Sequence, residues 1–140
     1  MIEIHDIEDI EQAAPLLAEL RLSLDPSVFD ARLTAAVADG DRLIGATRGD
    51  DLVGILGYRT TRDVCWGHSF YVDDLNVAPT ARATGVGGQL ISAAKTRAVK
   101  LGCDHIRLCS GLTRKDAHRF YEAHDLKGFS KQFVLALKGD

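Results

Sequence analysis

The absences in this sequence narrow it first. No apolar run in its 140 residues approaches the roughly 20 needed to cross a bilayer, so no membrane-spanning helix is expected. The net charge of -3 provides no overall basic field for nucleic acid. Cysteine is scarce: Cys65, Cys103 and Cys109 form an odd set with no C-x-x-C pair, which argues against zinc and redox motifs and against a disulfide framework. Cys103 and Cys109 bracket an apolar, strand-like run, where cysteine usually behaves as a small buried hydrophobe. The five histidines show no metal-ligand spacing, so no metal is expected. His118 and His124 read as surface residues of a helix. The chain turns acidic at Glu3 and does not resemble a signal or transit peptide at its start. Together these absences predict a soluble, cytoplasmic protein with neither a membrane nor a nucleic acid as partner.

The remaining composition, 46% hydrophobic and 26% charged, is that of an ordinary globular domain. With no repeat or linker in view, residues 1–140 read as a single domain. Alternation at Ile2, Glu3, Ile4 and His5 predicts a short strand, and Asp6 or Asp9 can cap a helix running from Ile10 with Pro15 inside it. A second helix is expected over residues 27–38, with Val28, Leu33, Ala36 and Val37 inward. Strands follow at 42–48 and 52–62, joined by a short Gly-containing turn that reads as a hairpin, and then at 68–77. Val86, Leu90, Ile91, Ala94, Ala98 and Leu101 mark one face of a helix, stopped by Gly102. A strand at 105–109, a helix at 114–124 loosely capped by Thr113 and Asp116, and a last strand at 132–137 complete the expected order. The fold class is α/β, with at least one parallel or crossover pairing in a mixed sheet.

The informative stretch joins the strand ending near Val77 to the helix opening near Gly87 through Arg82-x-x-Gly85-x-Gly87. A strand feeding a glycine-rich turn into a helix start gathers free amide N–H groups and the positive end of the helix dipole, which suits a phosphate or pyrophosphate. A P-loop is excluded because Gly87-Gly88-Gln89 lacks the Lys and Ser/Thr that reach terminal phosphates and magnesium. A dinucleotide fingerprint is excluded because Leu90 occupies the place of its third small residue.

The segment Asp74-Leu75-x-Val77-x-Pro79-x-x-Arg82-x-x-Gly85-x-Gly87 resembles the acetyl-CoA-binding segment of the GNAT N-acetyltransferase superfamily. Ala117-His118-Arg119-Phe120-Tyr121-Glu122 is similar to that family's late helix, and the predicted order of elements matches its fold. The resemblance implies a mixed sheet, splayed after its fourth strand and flanked by helices, with acetyl-CoA in the opening. Backbone groups of Leu75, Asn76 and Val77 would meet pantetheine and the acetyl carbonyl. Arg82, Ala83, Thr84, Gly85, Val86, Gly87 and Gly88 would cradle the pyrophosphate. The physical sense is general: a splayed strand has unpaired N–H and C=O groups, and an amide-bearing pantetheine can pair with them as a pseudo-strand.

Acetyl transfer to an amine requires a neutral amine, a polarised thioester carbonyl and a proton for the departing thiolate. Tyr121 matches the family's general-acid tyrosine, and a phenol of pKa about 10 can protonate a thiolate. Asp73 is the candidate base and Asp74 a candidate holder of a cationic amine, by likeness to the Glu-Asp of polyamine-type members. Successive strand residues face opposite ways, so a bulge is needed for both to serve one pocket. His68 and Tyr71 are candidates to line the acceptor pocket. Two departures stand out. Arg114 replaces the usual Asn, where a guanidinium could reach a phosphate, and Asp125-Leu126 replaces the usual Gly-Phe, with Gly128-Phe129 following later. Expected partners are acetyl-CoA and a small-molecule amine, with a homodimer also open. The alternatives are a protein or peptide N-acetyltransferase and a non-catalytic acyl-CoA-binding domain of the same fold.

Overall fold

A computed structural model describes residues 1–138. The chain divides into two compact units, Met1–Leu108 and Cys109–Asp140. In the first, five strands follow one another across a single sheet in sequence order: β1 (Ile2–Ile7), β2 (Arg42–Arg48), β3 (Asp51–Asp63), β4 (Gly67–Val77) and β5 (His105–Leu108). The first four pair antiparallel and β4 pairs parallel with β5, which gives the mixed sheet that the strand–helix–strand pattern predicts.

Helices cover both faces of this sheet, and strand pleating assigns the residues to them. Neighbours Leu43 and Ile44, and likewise Ile55 and Leu56, fall into opposite apolar clusters. Ile44, Leu56, Phe70 and Val72 pack with Val86, Leu90, Ala94 and Ala98 of α3 (Val86–Lys100). Leu43 and Ile55 pack with Ile7 and with Ala13, Leu16 and Leu17 of α1 (Ile10–Ala18). Each fully buried Leu or Ile contributes about 2 kcal/mol by leaving water. Gly54 lets α3 approach β3 closely: a Cβ there would stand 2.7 Å from Val86 and 3.0 Å from Leu90. The start of α3 is thereby seated directly on the central strand.

Asp9, not Asp6, caps α1, accepting from the Glu11 amide at 3.0 Å. Asp6 instead pairs with Arg97 of α3 at 2.8 Å. Pro15 removes one interior helix bond, but Glu11 and Pro15 both face solvent, where water can serve the freed carbonyl. α2 (Pro26–Ala38) keeps Leu33, Ala36 and Val37 of its expected inward face half-buried, though none of its residues is fully buried. Val28 is exposed, and Phe29 and Leu33 make its contact with the α1 cluster.

In the second unit α4 (Lys115–Ala123) turns Ala117, Phe120, Tyr121 and His124 to one half-buried side. Its N-cap is Arg114 without a side-chain bond, so the Thr113–Asp116 capping box does not form, and Asp116 pairs with Arg119 instead. Neither histidine is a plain surface residue. His118 bonds the Gly111 carbonyl at 2.8 Å, and the His124 ring lies 4.4 Å from that of Phe120. Cys109 is exposed, which corrects its expected burial, whereas Cys103 is half-buried and packs against the α3 cluster. The strand expected at 132–137 is also corrected: residues 131–136 adopt no regular structure, and Phe133, Val134, Leu135 and Leu137 are exposed. A β-prone run becomes a strand only when another strand pairs its backbone, and among the described residues none does. No helix among the described residues is long and apolar enough to cross a membrane.

Candidate active site

The parallel β4–β5 ladder runs from Ser69↔His105 to Val72↔Leu108 and stops, while β4 continues beside β3 as far as Val77. Residues 73–77 of β4 therefore present one free side. The Ala78 amide donates to the Val53 carbonyl at 2.8 Å, which makes the next pair, Gly54↔Val77, a non-hydrogen-bonded one. By the same alternation Leu56↔Leu75 is non-bonded too, so the main-chain groups of Leu75 and Val77 point away from β3 to the open side. The Val77 carbonyl accepts from Arg82 Nε at 3.0 Å. Asn76 has the opposite parity and its side chain is structural: nearly buried, it donates to the Leu16 carbonyl at 2.9 Å and ties β4 to α1.

Beyond Val77 a short 3-10 turn, Pro79–Ala81, leads to Arg82 and then to the start of α3. Ala83 and Gly85 both take positive φ, 63° and 87°. Gly85 is the N-cap of α3 and offers no side chain to it. The first helical bond runs from the Gln89 amide to the Gly85 carbonyl, so the amides of Val86, Gly87 and Gly88 precede the helix ladder. Thr84 Oγ1 donates to the Ala81 carbonyl, which pins the turn. The open-side groups of Leu75 and the Val77 amide, with the Val77 carbonyl held by Arg82, lead into helix amides that precede the α3 ladder at the positive dipole end. That arrangement fits an amide-bearing chain ending in a pyrophosphate.

The bulge that the Asp73–Asp74 pair requires is present. Pairing jumps from Gly57↔Asp74 to Tyr58↔Val72, leaving Asp73 unopposed. Asp73 takes Arg59 Nε at 3.0 Å, and Asp74 takes Arg21 Nη2 at 2.7 Å. Burial pushes the Asp74 carboxyl up, with Arg21 pulling against it and the Asp73 charge adding to the rise. Asp41, just before β2, is also raised, by burial first and then by the Asp73 charge. Sequence alone showed the acidic pair but not Arg21, Arg59 or Asp41. Arg21 lies 53 residues from Asp74, and only the path of the chain from α1 to β2 brings these groups together.

Tyr71 lies on the Asp73 side of β4, with the Arg59 guanidinium 5.0 Å from its ring centre. His68 has the parity of Phe70 and Val72, which face α3, so β4 does not bring His68 and Tyr71 to one face. In the second unit, burial raises the Tyr121 phenol while Arg114 opposes the rise. Among the described residues no group of three or more His, Cys, Asp or Glu is placed to hold a metal ion.

A mixed sheet that opens after its fourth strand beside a glycine-led helix defines an acyl-CoA N-acyltransferase. The comparisons agree. The sequence matches the "Acetyltransferase (GNAT) family" over residues 4–125. It is 31% identical over 139 residues to the "Uncharacterized N-acetyltransferase YhdJ" of Bacillus subtilis, covering 99% of this chain and 96% of that one. It is 28% identical over 137 residues to the "Aminoalkylphosphonate N-acetyltransferase" of Salmonella typhimurium, covering 93% and 86%. A solved structure described as a transcriptional regulator from Bacillus halodurans superposes with a TM-score of 0.84 at 26% identity, covering 98% of this chain and 100% of that one. The chain belongs to the GNAT acetyltransferase family and is an acetyl-CoA-dependent N-acetyltransferase.

Proposed function

We propose that the protein acetylates the primary amine of a small molecule by direct attack, with Tyr121 as general acid and Asp73 as general base. The observation that carries the acceptor class is the charge balance at the β4 bulge. Three carboxylates, Asp41, Asp73 and Asp74, face two guanidiniums, Arg21 and Arg59, an excess of one formal negative charge that an ammonium group matches. The similarity to an aminoalkylphosphonate N-acetyltransferase supports a small-molecule amine.

Acetyl-CoA supplies an activated acetyl group as its thioester. The open main-chain groups of Leu75 and Val77 hold its pantetheine arm, and the Val86, Gly87 and Gly88 amides hold its pyrophosphate. Asp74, braced by Arg21, attracts the ammonium. Asp73, oriented by Arg59, takes one of its protons directly or through water. The amine nitrogen then bonds the acetyl carbon as the C–S bond breaks, Tyr121 gives its phenolic proton to the thiolate, and the proton that the acylated nitrogen sheds restores the Tyr121 phenol through solvent. A phenol of ordinary pKa about 10 already holds that proton at neutral pH, and burial raises it further.

The test is release of CoA thiol from acetyl-CoA in the presence of small primary amines, lysine peptides and peptides with free N-termini. Turnover on small amines is the expected result. Turnover confined to peptides moves the acceptor class to proteins. Silence across the panel with acetyl-CoA bound overturns the enzymatic mechanism in favour of a binding domain, a reading that Arg114 in place of Asn favours.

A further inference from the structure

Arg59, Tyr71 and Arg107 stand opposite one another on β3, β4 and β5 in a single cross-strand row. Both guanidiniums lean onto the same ring, at 5.0 and 5.4 Å from its centre, and Arg107 also lies 5.3 Å from the ring centre of Trp66. Two cations drawn to one phenol repel each other, and the carboxylates beside them lie at the margins of the row. Asp73 engages Arg59 through Nε, and Asp63 engages Arg107 through Nη1 at 3.3 Å. Both forks keep donors for a further anion. One register step along the same face, Thr61 and Ser69 oppose each other, and among the described residues their hydroxyls have no hydrogen-bond partner, although Ser69 is fully buried. Buried hydroxyls without partners are uncommon and mark a place where another polar group is accommodated.

The geometry points to this row as a subsite for an anionic group, such as a phosphonate or phosphate, carried by the acceptor amine. The inference rests on the small-molecule amine reading and deepens it. Asp73 lies two residues along β4 from Tyr71, a rise of about 7 Å. A short aminoalkyl chain spans that distance, with its ammonium at the carboxylates of the bulge and its anion at Arg107, the guanidinium that stands outside that carboxylate group. Arg107 sets specificity as the fork farther from the reacting amine, while Arg59 orients Asp73.

Methylphosphonate titrated calorimetrically into the CoA-saturated protein tests the subsite without requiring turnover. Saturable binding is expected, weakened on the order of tenfold in Arg107→Gln and less in Arg107→Lys, which keeps the charge but not the fork. The acetylation KM should be lower for 2-aminoethylphosphonate than for propylamine in the wild type, and the two should converge in Arg107→Gln. Circular dichroism establishes that both variants fold; if only Arg107→Lys does, it carries the comparison. Absence of saturable binding, loss of binding once CoA is present, or equal binding by wild type and variant overturns the subsite. Turnover that favours neither amine overturns it while leaving the amine reading intact. Arg107-dependent methylphosphonate binding without turnover of any amine leaves the subsite standing and removes the acceptor reading instead.

Discussion

Asp73 and Asp74 show how one residue of slippage changes what a strand can do. In a regular strand their carboxylates would face opposite sides of the sheet. The shift between Gly57 and Tyr58 releases Asp73 from opposition. The sequence exposed the acidic pair and the condition it had to meet. It did not expose the partners, since Arg59 is 14 residues away and Arg21 more than 50. Asp41, just before β2, was out of view for the same reason. Its raised pKa means the folded protein favours the neutral carboxyl, so its stabilising contribution is complete below the ordinary value near 3.8 and is lost as pH rises through the higher folded value. Asp41→Asn should therefore stabilise the fold at pH 7, by no more than about 0.5 kcal/mol because water reaches the group. Denaturant midpoints should show that gain disappearing as the pH is lowered towards 3; an unchanged or lower midpoint at pH 7 contradicts a carboxylate penalised chiefly by burial. Tyr121→Phe removes the proposed general acid's hydroxyl while keeping the ring, and on that proposal kcat should fall about a hundredfold or more while the KM for acetyl-CoA holds. An unchanged kcat would remove Tyr121 from the mechanism.

Among the elements, α3 was the most legible. Its apolar spacing, glycine start and Gly102 stop all read directly, because local chemistry decides them. Gly85 and Gly54 are both glycines for different reasons. A Cβ at Gly85 would meet nothing within 4 Å, so only its φ of 87° demands glycine, whereas Gly54 is required by the contact with Val86 and Leu90. Gly85→Ala should cost about 1–2 kcal/mol of stability and weaken acetyl-CoA binding by tilting the first amides of α3. Thermal unfolding and calorimetry read the two effects separately, and full stability with full affinity would show that the turn does not depend on this conformation. The capping box at Thr113 and the strand at 132–137 were misread for a shared reason. Each had the right residue types but lacked a partner fixed elsewhere: an N-cap one residue earlier in the first case, an adjacent strand in the second. Propensity supplies the pleat, and only tertiary pairing makes the strand.

For the whole molecule, the family and the order of elements through α4 were readable because Arg82-x-x-Gly85-x-Gly87 and Phe120-Tyr121 are local sequence motifs of that family. The acceptor end was less readable, since Arg21, Asp41, Arg59 and Arg107 come from four separated segments. The central claim is that the open edge of β4 and the start of α3 together hold acetyl-CoA. Site-resolved amide hydrogen exchange with and without acetyl-CoA tests it most directly. The free protein should exchange the Leu75, Val77, Gly87 and Gly88 amides quickly, and saturation with acetyl-CoA should slow all four, the strand pair together with the helix pair. Acetyl-CoA binding that leaves these four amides unprotected would contradict the account.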